Sequence, residues 1–404
     1  MSQPTGEQLR KRYGVAQRAN VPPFRVMDVL EASAERQRTH GDLVNLAAGQ
    51  PMTGAPEPVR AEAIRLLSGP DPLGYTPATG ILELRQRIAA HHRRFHGIEV
   101  DAGDVVVTTG SSGGFLLAFL AAFEPGDRVV MARPGYPCYR NVLTALGCDV
   151  VEIATGPETR FQPTVEQLEA LRGELGDIRG LVVASPANPT GTMLLPEELA
   201  ALARWCEEQG VQLVSDEIYH GMEYAGLDGR PPLARSAWET SREAVVFHSF
   251  SKYFSMTGWR LGWLLAPARL RRPIDVLTGN FTICPPALAQ RAAIAAFDDA
   301  SYAELDGHVH SYARNRAHML DRLAAMGITR LAPADGAFYV YADVGHLTDD
   351  TLAWSRRLLD DTGVAITPGI DFDTLDGQRF VRLSFAGLYD DVVEGLDRIA
   401  GWLG

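Results

Sequence analysis

Six short apolar runs between residues 104 and 267 restrict this chain to a small set of folds: DVVVTT, DRVVMA, GLVVASP, VQLVSDEIY, AVVFHSF and LGWLLAP. Each is four to eight residues of strand-forming sequence bounded by Gly, Pro or Asp, and each reads as a strand buried on both faces. Helical stretches lie between several of them. The clearest is LPEELAALARWCEEQG (195–210), with proline and acids at its start and glycine at its stop. Strands alternating with helices imply right-handed crossovers, hence an α/β fold with a mostly parallel sheet covered by helices.

The texture differs on either side of this block. Residues 1–46 are polar, and VMDVLEASAERQRTHGDL reads as an amphipathic helix; the Gly- and Pro-rich LAAGQPMTGAPEP that follows is loop. After about residue 290 a long helical pattern (304–327) precedes the strands AFYVYADV and FVRLSFAG, and DDVVEGLDRIAGWL forms a last amphipathic helix. A chain of 404 residues suits two domains. The expected division is an N-terminal segment 1–48 joining the small domain, a large domain 49–289, and a small α+β domain 290–404.

A net charge of −12 argues against a broad footprint for nucleic acid or anionic membrane, although a few buried arginines could still hold a small anion. Cys138, Cys148, Cys206 and Cys284 are scattered without C-x-x-C spacing, which fits neither a zinc ribbon nor a disulfide framework and suggests a reducing compartment. The first twenty residues lack an apolar signal region, and no run reaches membrane-spanning length. The expectation is a soluble cytoplasmic protein.

The 38 basic residues comprise 36 arginines and two lysines, Lys11 and Lys252. An amine kept where guanidinium is the rule points to chemistry that arginine cannot perform. In open α/β sheets, ligands bind beyond the carboxyl ends of the strands. Asn188 follows GLVVASP there, Asp216 and Tyr219 follow VQLV, and Ser249 to Lys252 follow AVVF. Singly these residues could be a turn, a cap, a core phenol and a surface charge. Together they are an amine, an acid, an amide and a phenol, each at a strand end, followed by Arg260 eight residues beyond the lysine.

In this order and spacing, AAGQP (47–51), GYTPATG (74–80), SPANPTG (185–191), SDEIYHG (215–221), SFSKYFSMTGWRLG (249–262) and RLSFAG (382–387) resemble the class I/II aminotransferases, pyridoxal-phosphate enzymes of fold type I. The resemblance covers nearly the whole chain. It implies that Lys252 is the Schiff-base lysine and later the proton carrier, because an unprotonated amine condenses with an aldehyde whereas guanidinium does not. It implies that Asp216 keeps the pyridine nitrogen protonated, that Asn188 and Tyr219 bond the ring's phenolic oxygen, and that Tyr136 stacks on the ring. Phosphate binding falls to Ser111, Ser112 and Gly113 at a helix start and to Ser249, Ser251 and Arg260. Tyr75 would reach the phosphate of a neighbouring subunit in a homodimer. Arg382 would grip the substrate's α-carboxylate, with Gly49 and Asn188 beside it.

Rival readings are weaker. SFSK also spells the S-x-x-K of penicillin-recognising hydrolases, but with two lysines in the chain no K-T-G element exists. HHRRFH (91–96) places His92 and His96 at a zinc-compatible spacing, yet two arginines intervene and no H-E-x-x-H follows, so it reads as a solvated basic face. About 46 residues precede the first motif, too few for the DNA-binding part of an aminotransferase-like regulator. Another fold type I reaction, such as β-elimination, stays open. So does the donor, dicarboxylic as in aspartate aminotransferases or neutral: TTGSSGGF offers no lysine near Gly113 for a second carboxylate, an arginine from elsewhere or from a partner chain could replace it, and Phe115, Tyr136, Phe281 and Phe338 suit neutral or aromatic side chains such as valine, alanine or phenylalanine.

Overall fold

The computed structural model describes residues 14–404. Its strands are β1 (Val44–Asn45), β2 (Val105–Thr108), β3 (Arg128–Arg133), β4 (Asp149–Ala154), β5 (Gly180–Ala184), β6 (Gln212–Asp216), β7 (Val245–Ser249), β8 (Gly262–Leu265), β9 (Tyr339–Asp343), β10 (Val364–Ala365), β11 (Thr367–Pro368) and β12 (Phe380–Ser384). Seven form one sheet in the order β2-β8-β7-β6-β5-β3-β4. Only β8 runs against the others in that sheet. The apolar runs explain its two-sided burial: Val105 and Val107 join one core with Leu181, Leu213, Val246 and Trp263, while Val106 joins the opposite core with Val182, Val214, Phe247 and Leu264.

A second, antiparallel sheet, β11-β12-β9, packs with the helix Thr351–Thr362, which in turn meets the helix Tyr389–Leu403, itself packed on Asp299–Ala325. The early helix Arg25–His40 ends at Gly41, whose φ of 72° is the left-handed geometry that stops helices. It leads into β1, which pairs in parallel with β10, and the backbone N–H groups of Arg25 and Val26 donate to the Asp371 carboxylate. Residues from the two chain ends are thereby joined.

The six runs read as strands are β2, β3, β5, β6, β7 and β8. The sequence reading missed β4, an edge strand whose mixed residues are only half-buried, and the two-residue strands β1, β10 and β11, too short to show a period. It also misread HHRRFH. The helix Leu82–His96 does expose Arg93 and Arg94, but His91, His92 and His96 are buried on the face that carries Leu84 and Ile88. Two of these imidazoles find interior partners: His91 Nδ1 lies 2.8 Å from the Tyr302 hydroxyl, and His92 Nε2 accepts from the Trp263 indole at 3.1 Å. A histidine supplied with a partner can be core, and charge pattern alone does not reveal the partner.

Candidate active site

The carboxyl ends of β5, β6 and β7 open into a cleft of about 700 Å³, roofed by residues from the early helix, the 47–52 loop and β12. Lys252 lies in the turn after β7. Its amine donates to the Gly49 carbonyl at 2.5 Å and sits over the rings of Tyr219 and Phe338. Burial, then the positive charge of Arg382, pulls its pKa down from 10.5 to about 8, with Asp216 opposing. An appreciable neutral fraction near physiological pH is what a nucleophilic amine requires.

Asp216 ends β6 and is buried. The Tyr139 hydroxyl donates to its Oδ2 and the Ile218 N–H donates to Oδ1 at 3.1 Å. Burial nevertheless raises its pKa to about 6. A carboxyl so placed is suited to meeting a protonated ring nitrogen, whose charge would compensate its lost hydration.

Arg382, on β12, is buried and makes no ion pair among the described residues. Its Nη1 donates to Asn188 Oδ1 at 2.8 Å and its Nη2 to the Ala47 carbonyl at 2.8 Å, while Nε has no partner. The guanidinium lies 4.4 Å from the Tyr339 ring centre. A buried arginine with carbonyl and amide partners but no acid retains its charge for an incoming carboxylate. Gly49 packs closely beside it: a Cβ there would come within 3.1 Å of the Tyr339 hydroxyl, tight enough to displace it slightly, and 3.8 Å of Arg382 Nη2.

An anion cradle occupies the other end of the cleft. The helix Gly110–Ala122 begins with Ser111 and Ser112 in its first turn, opposite Ser249, Ser251 and Arg260. Gly110 has φ +67°, and a Cβ on it would lie 2.5 Å from Arg260 Nη2, so no other residue leaves the guanidinium in place. Helix-terminal N–H groups, hydroxyls and a guanidinium together fit a phosphate.

Of the residues singled out from sequence, Gly49, Ser111, Ser112, Tyr136, Asn188, Asp216, Tyr219, Ser249, Ser251, Lys252, Arg260 and Arg382 all line this cleft. Gly113 lies in the same helix turn but outside the lining. Tyr75 lies away from the cleft and is 84% exposed. The other lysine, Lys11, lies outside the described residues. Sequence reasoning missed Tyr139, Tyr339, Gly110 and the roof residues Phe24, Val26, Met27 and Leu30. Tyr139 stands three residues after Tyr136 at the start of the helix Pro137–Ala145, a spacing that sets both phenols on one face. Tyr339 holds the Tyr219 hydroxyl at 2.8 Å.

Comparison with known proteins agrees with this geometry. Residues 41–399 match the family described as aminotransferase class I and II. The chain belongs to that family. It is 63% identical, over 96% of its length and 98% of the relative's, to the valine–pyruvate aminotransferase of Mycobacterium tuberculosis. It is 35% identical to the aspartate/prephenate aminotransferase of Thermus thermophilus, over 95% and 96% of the two chains. Among solved structures, an aminotransferase from Mycobacterium tuberculosis superposes with a TM-score of 0.93 at 63% identity, covering 96% of this chain and 98% of that one. The large sheet and flanking helices are those of fold type I, and the chain is an aminotransferase. Members of this family use pyridoxal phosphate.

Proposed function

We propose that this aminotransferase uses pyridoxal phosphate to move the amino group of a neutral L-amino acid, valine or alanine foremost, to a 2-oxo acid. One observation carries the choice of donor. Among the described residues, the cations lining the cleft are Lys252, Arg260 and Arg382, and the roof is apolar, built from Phe24, Val26, Met27 and Leu30. With those three engaged by cofactor and α-carboxylate, a side-chain carboxylate would be buried without a partner, at a cost of several kcal/mol. The relative named for valine and pyruvate supports the same choice, whereas relatives at about one-third identity are named for aspartate.

When bound, pyridoxal phosphate supplies an aldehyde that condenses with amines and a protonated ring that draws electrons from the substrate's α-carbon. Lys252 would hold the cofactor's aldehyde carbon, and its amine, when free, would carry the proton taken from the substrate's α-carbon. Asp216, held by Tyr139, keeps a proton on the pyridine nitrogen. Asn188 and Tyr219 donate to the phenolic oxygen, and Tyr136 covers the ring. Ser111, Ser112, Gly113, Ser249, Ser251 and Arg260 bind the phosphate. Arg382 takes the α-carboxylate with its two nitrogens, while Asn188 and the Gly49 backbone close over it and exclude water.

The same reading includes a homodimer in which Tyr75 reaches a neighbouring cleft, supported by its exposure on a loop alongside exposed Leu82 and Phe281. It also includes cytoplasmic residence, which four free cysteines favour. It further includes the division at 48/49 and 289/290, of which the parallel pairing of β1 with β10 supports one part, the joining of the N-terminal segment to the small domain. Mixing the cofactor-loaded enzyme with single amino acids and following the absorbance change tests the donor. Valine or alanine is expected to react at least about tenfold faster than aspartate at equal concentration, a gap of roughly 1.4 kcal/mol in the barrier. A dominant aspartate rate overturns the assignment.

A further inference from the structure

Directly behind the cleft lies a second cluster that transamination does not use. His96 ends the helix Leu82–His96, Glu217 and His220 occupy the turn after β6, and His248 sits in β7. All four are buried, and Glu217 is fully so. Each offers one donor atom, and the four atoms lie within 4.8 Å of one another. His96 Nε2 is 3.3 Å from His220 Nδ1. Glu217 Oε2 is 3.5 Å from His220 Nδ1 and 3.4 Å from His248 Nε2. A tetrahedron with metal–ligand bonds of about 2.0–2.1 Å has edges of roughly 3.3–3.4 Å. Three edges already have nearly that length.

The hydrogen bonding points the same way. Glu217 Oε1 is fixed by the Ser215 hydroxyl at 3.0 Å and the Ala237 N–H at 2.7 Å, which leaves Oε2 without a partner and facing the imidazoles. His248 Nε2 also has none. His248 is held in orientation by stacking on Trp263, with ring centres 5.0 Å apart and planes 9° apart. His91 and His92 lie outside this group of four, with His91 Nδ1 against the Tyr302 hydroxyl and His92 Nε2 accepting from Trp263, while His92 Nδ1 has no partner.

We propose that His96, Glu217, His220 and His248 form a closed tetrahedral zinc(II) site that clamps the helix Leu82–His96 to the ends of β6 and β7. Four protein ligands and burial leave no open position, so the site is structural and distinct from the chemistry in the cleft. Burial lowers the pKa of His96, His220 and His248 to about 3 each, with neighbouring histidines contributing for His96 and His220 and Glu217 opposing for His220. Zinc takes imidazole nitrogen and carboxylate oxygen, and Glu217 Oε2 and His248 Nε2 are such atoms, both without a hydrogen-bond partner. Arg235 lies near enough to His96 to depress its pKa, and its charge works against a bound cation. A dication resolves the otherwise unpaired acid. The clamp is one residue from Asp216 and one from Ser249, so it would fix the segment that carries the cofactor contacts.

The full chain loaded with cofactor should be dialysed against a chelator, exposed to zinc, freed of excess by gel filtration and assayed for metal. About one zinc per chain is expected, with a Tm several degrees above the chelated protein. Cobalt(II) in its place should give the intense visible bands of tetrahedral coordination. Glu217→Gln and His220→Gln should each lose the zinc and the Tm gain. Wild-type protein carrying less than about a tenth of an equivalent, with unchanged Tm, would make the cluster a plain hydrogen-bonded core and overturn the proposal. Zinc retained equally by Glu217→Gln would place the metal elsewhere, on the cofactor phosphate for instance, and also overturn it. If either variant fails to fold, wild-type stoichiometry and the cobalt spectrum still decide.

Discussion

Asp216 and Glu217 are consecutive, both carboxylic and both buried, yet they serve opposite sides of one strand end. Asp216 faces the cleft, where Lys252 and Arg382 make no ion pair with a carboxylate among the described residues. Glu217 faces away, toward three histidines and two fixed donors. The alternation of side chains along a strand gives neighbours different faces. What distinguishes the two acids is their surroundings: one side keeps groups waiting for a ligand, while the other fills its interior from the chain itself.

The sharpest way to test this contrast is to remove the waiting amine. Lys252→Ala is expected to abolish transamination and the absorbance of lysine-bound cofactor, while the fold melts near the wild-type temperature. Retention of either signal would mean that the cleft side was misassigned. Next in size, Asp216→Ala should leave cofactor attachment possible but cut turnover by about 10² to 10³-fold, as loss of a preorganised electrostatic partner does. Glu217→Ala should do the reverse, lowering Tm by several degrees with a smaller change in kcat below the transition. If both variants lost mainly rate, or both mainly stability, the two faces would not be functionally separate.

The contrast also explains what the sequence disclosed. The large sheet was legible because its buried strands are unbroken apolar runs, and the cleft was legible because Lys252, Asp216, Asn188 and Arg260 recur at strand ends in a recognisable order. The edge strand β4 escaped because half-burial leaves it a mixed composition. The histidine cluster escaped for a different reason. Its members come from residues 96, 217, 220 and 248, and local spacing carries no information on which distant side chains meet. The roof escaped likewise, since nothing in VPPFRVMDVL says that Phe24 and Val26 cover a cleft whose other walls come from distant parts of the chain.

A smaller effect is expected at the carboxylate end. Arg382→Lys keeps the charge but gives up the fork that bonds Asn188 and the Ala47 carbonyl. Losing one charge-assisted hydrogen bond, worth about 1.5–3 kcal/mol, should lower kcat/KM roughly 10- to 100-fold. Most of the loss should appear as a higher KM for the amino donor. A change confined to Tm would reassign Arg382 to the structural side of the comparison.

The mildest test is pH. Lys252 is depressed from 10.5 to about 8 by burial first and by Arg382 second. Between those values the unfolded chain holds a proton that the folded chain lacks, so cofactor-free protein should gain stability as pH rises through the window. The gain should vanish in Lys252→Met. In the same window the neutral amine becomes the major form, so the rate at which added pyridoxal phosphate attaches should climb about tenfold per pH unit below roughly 8 and level off above it. Arg382→Gln removes the second cause and should move that midpoint upward. A midpoint unchanged in Arg382→Gln would mean that Arg382 does not help set the amine, and that these two cations of the cleft do not sense each other.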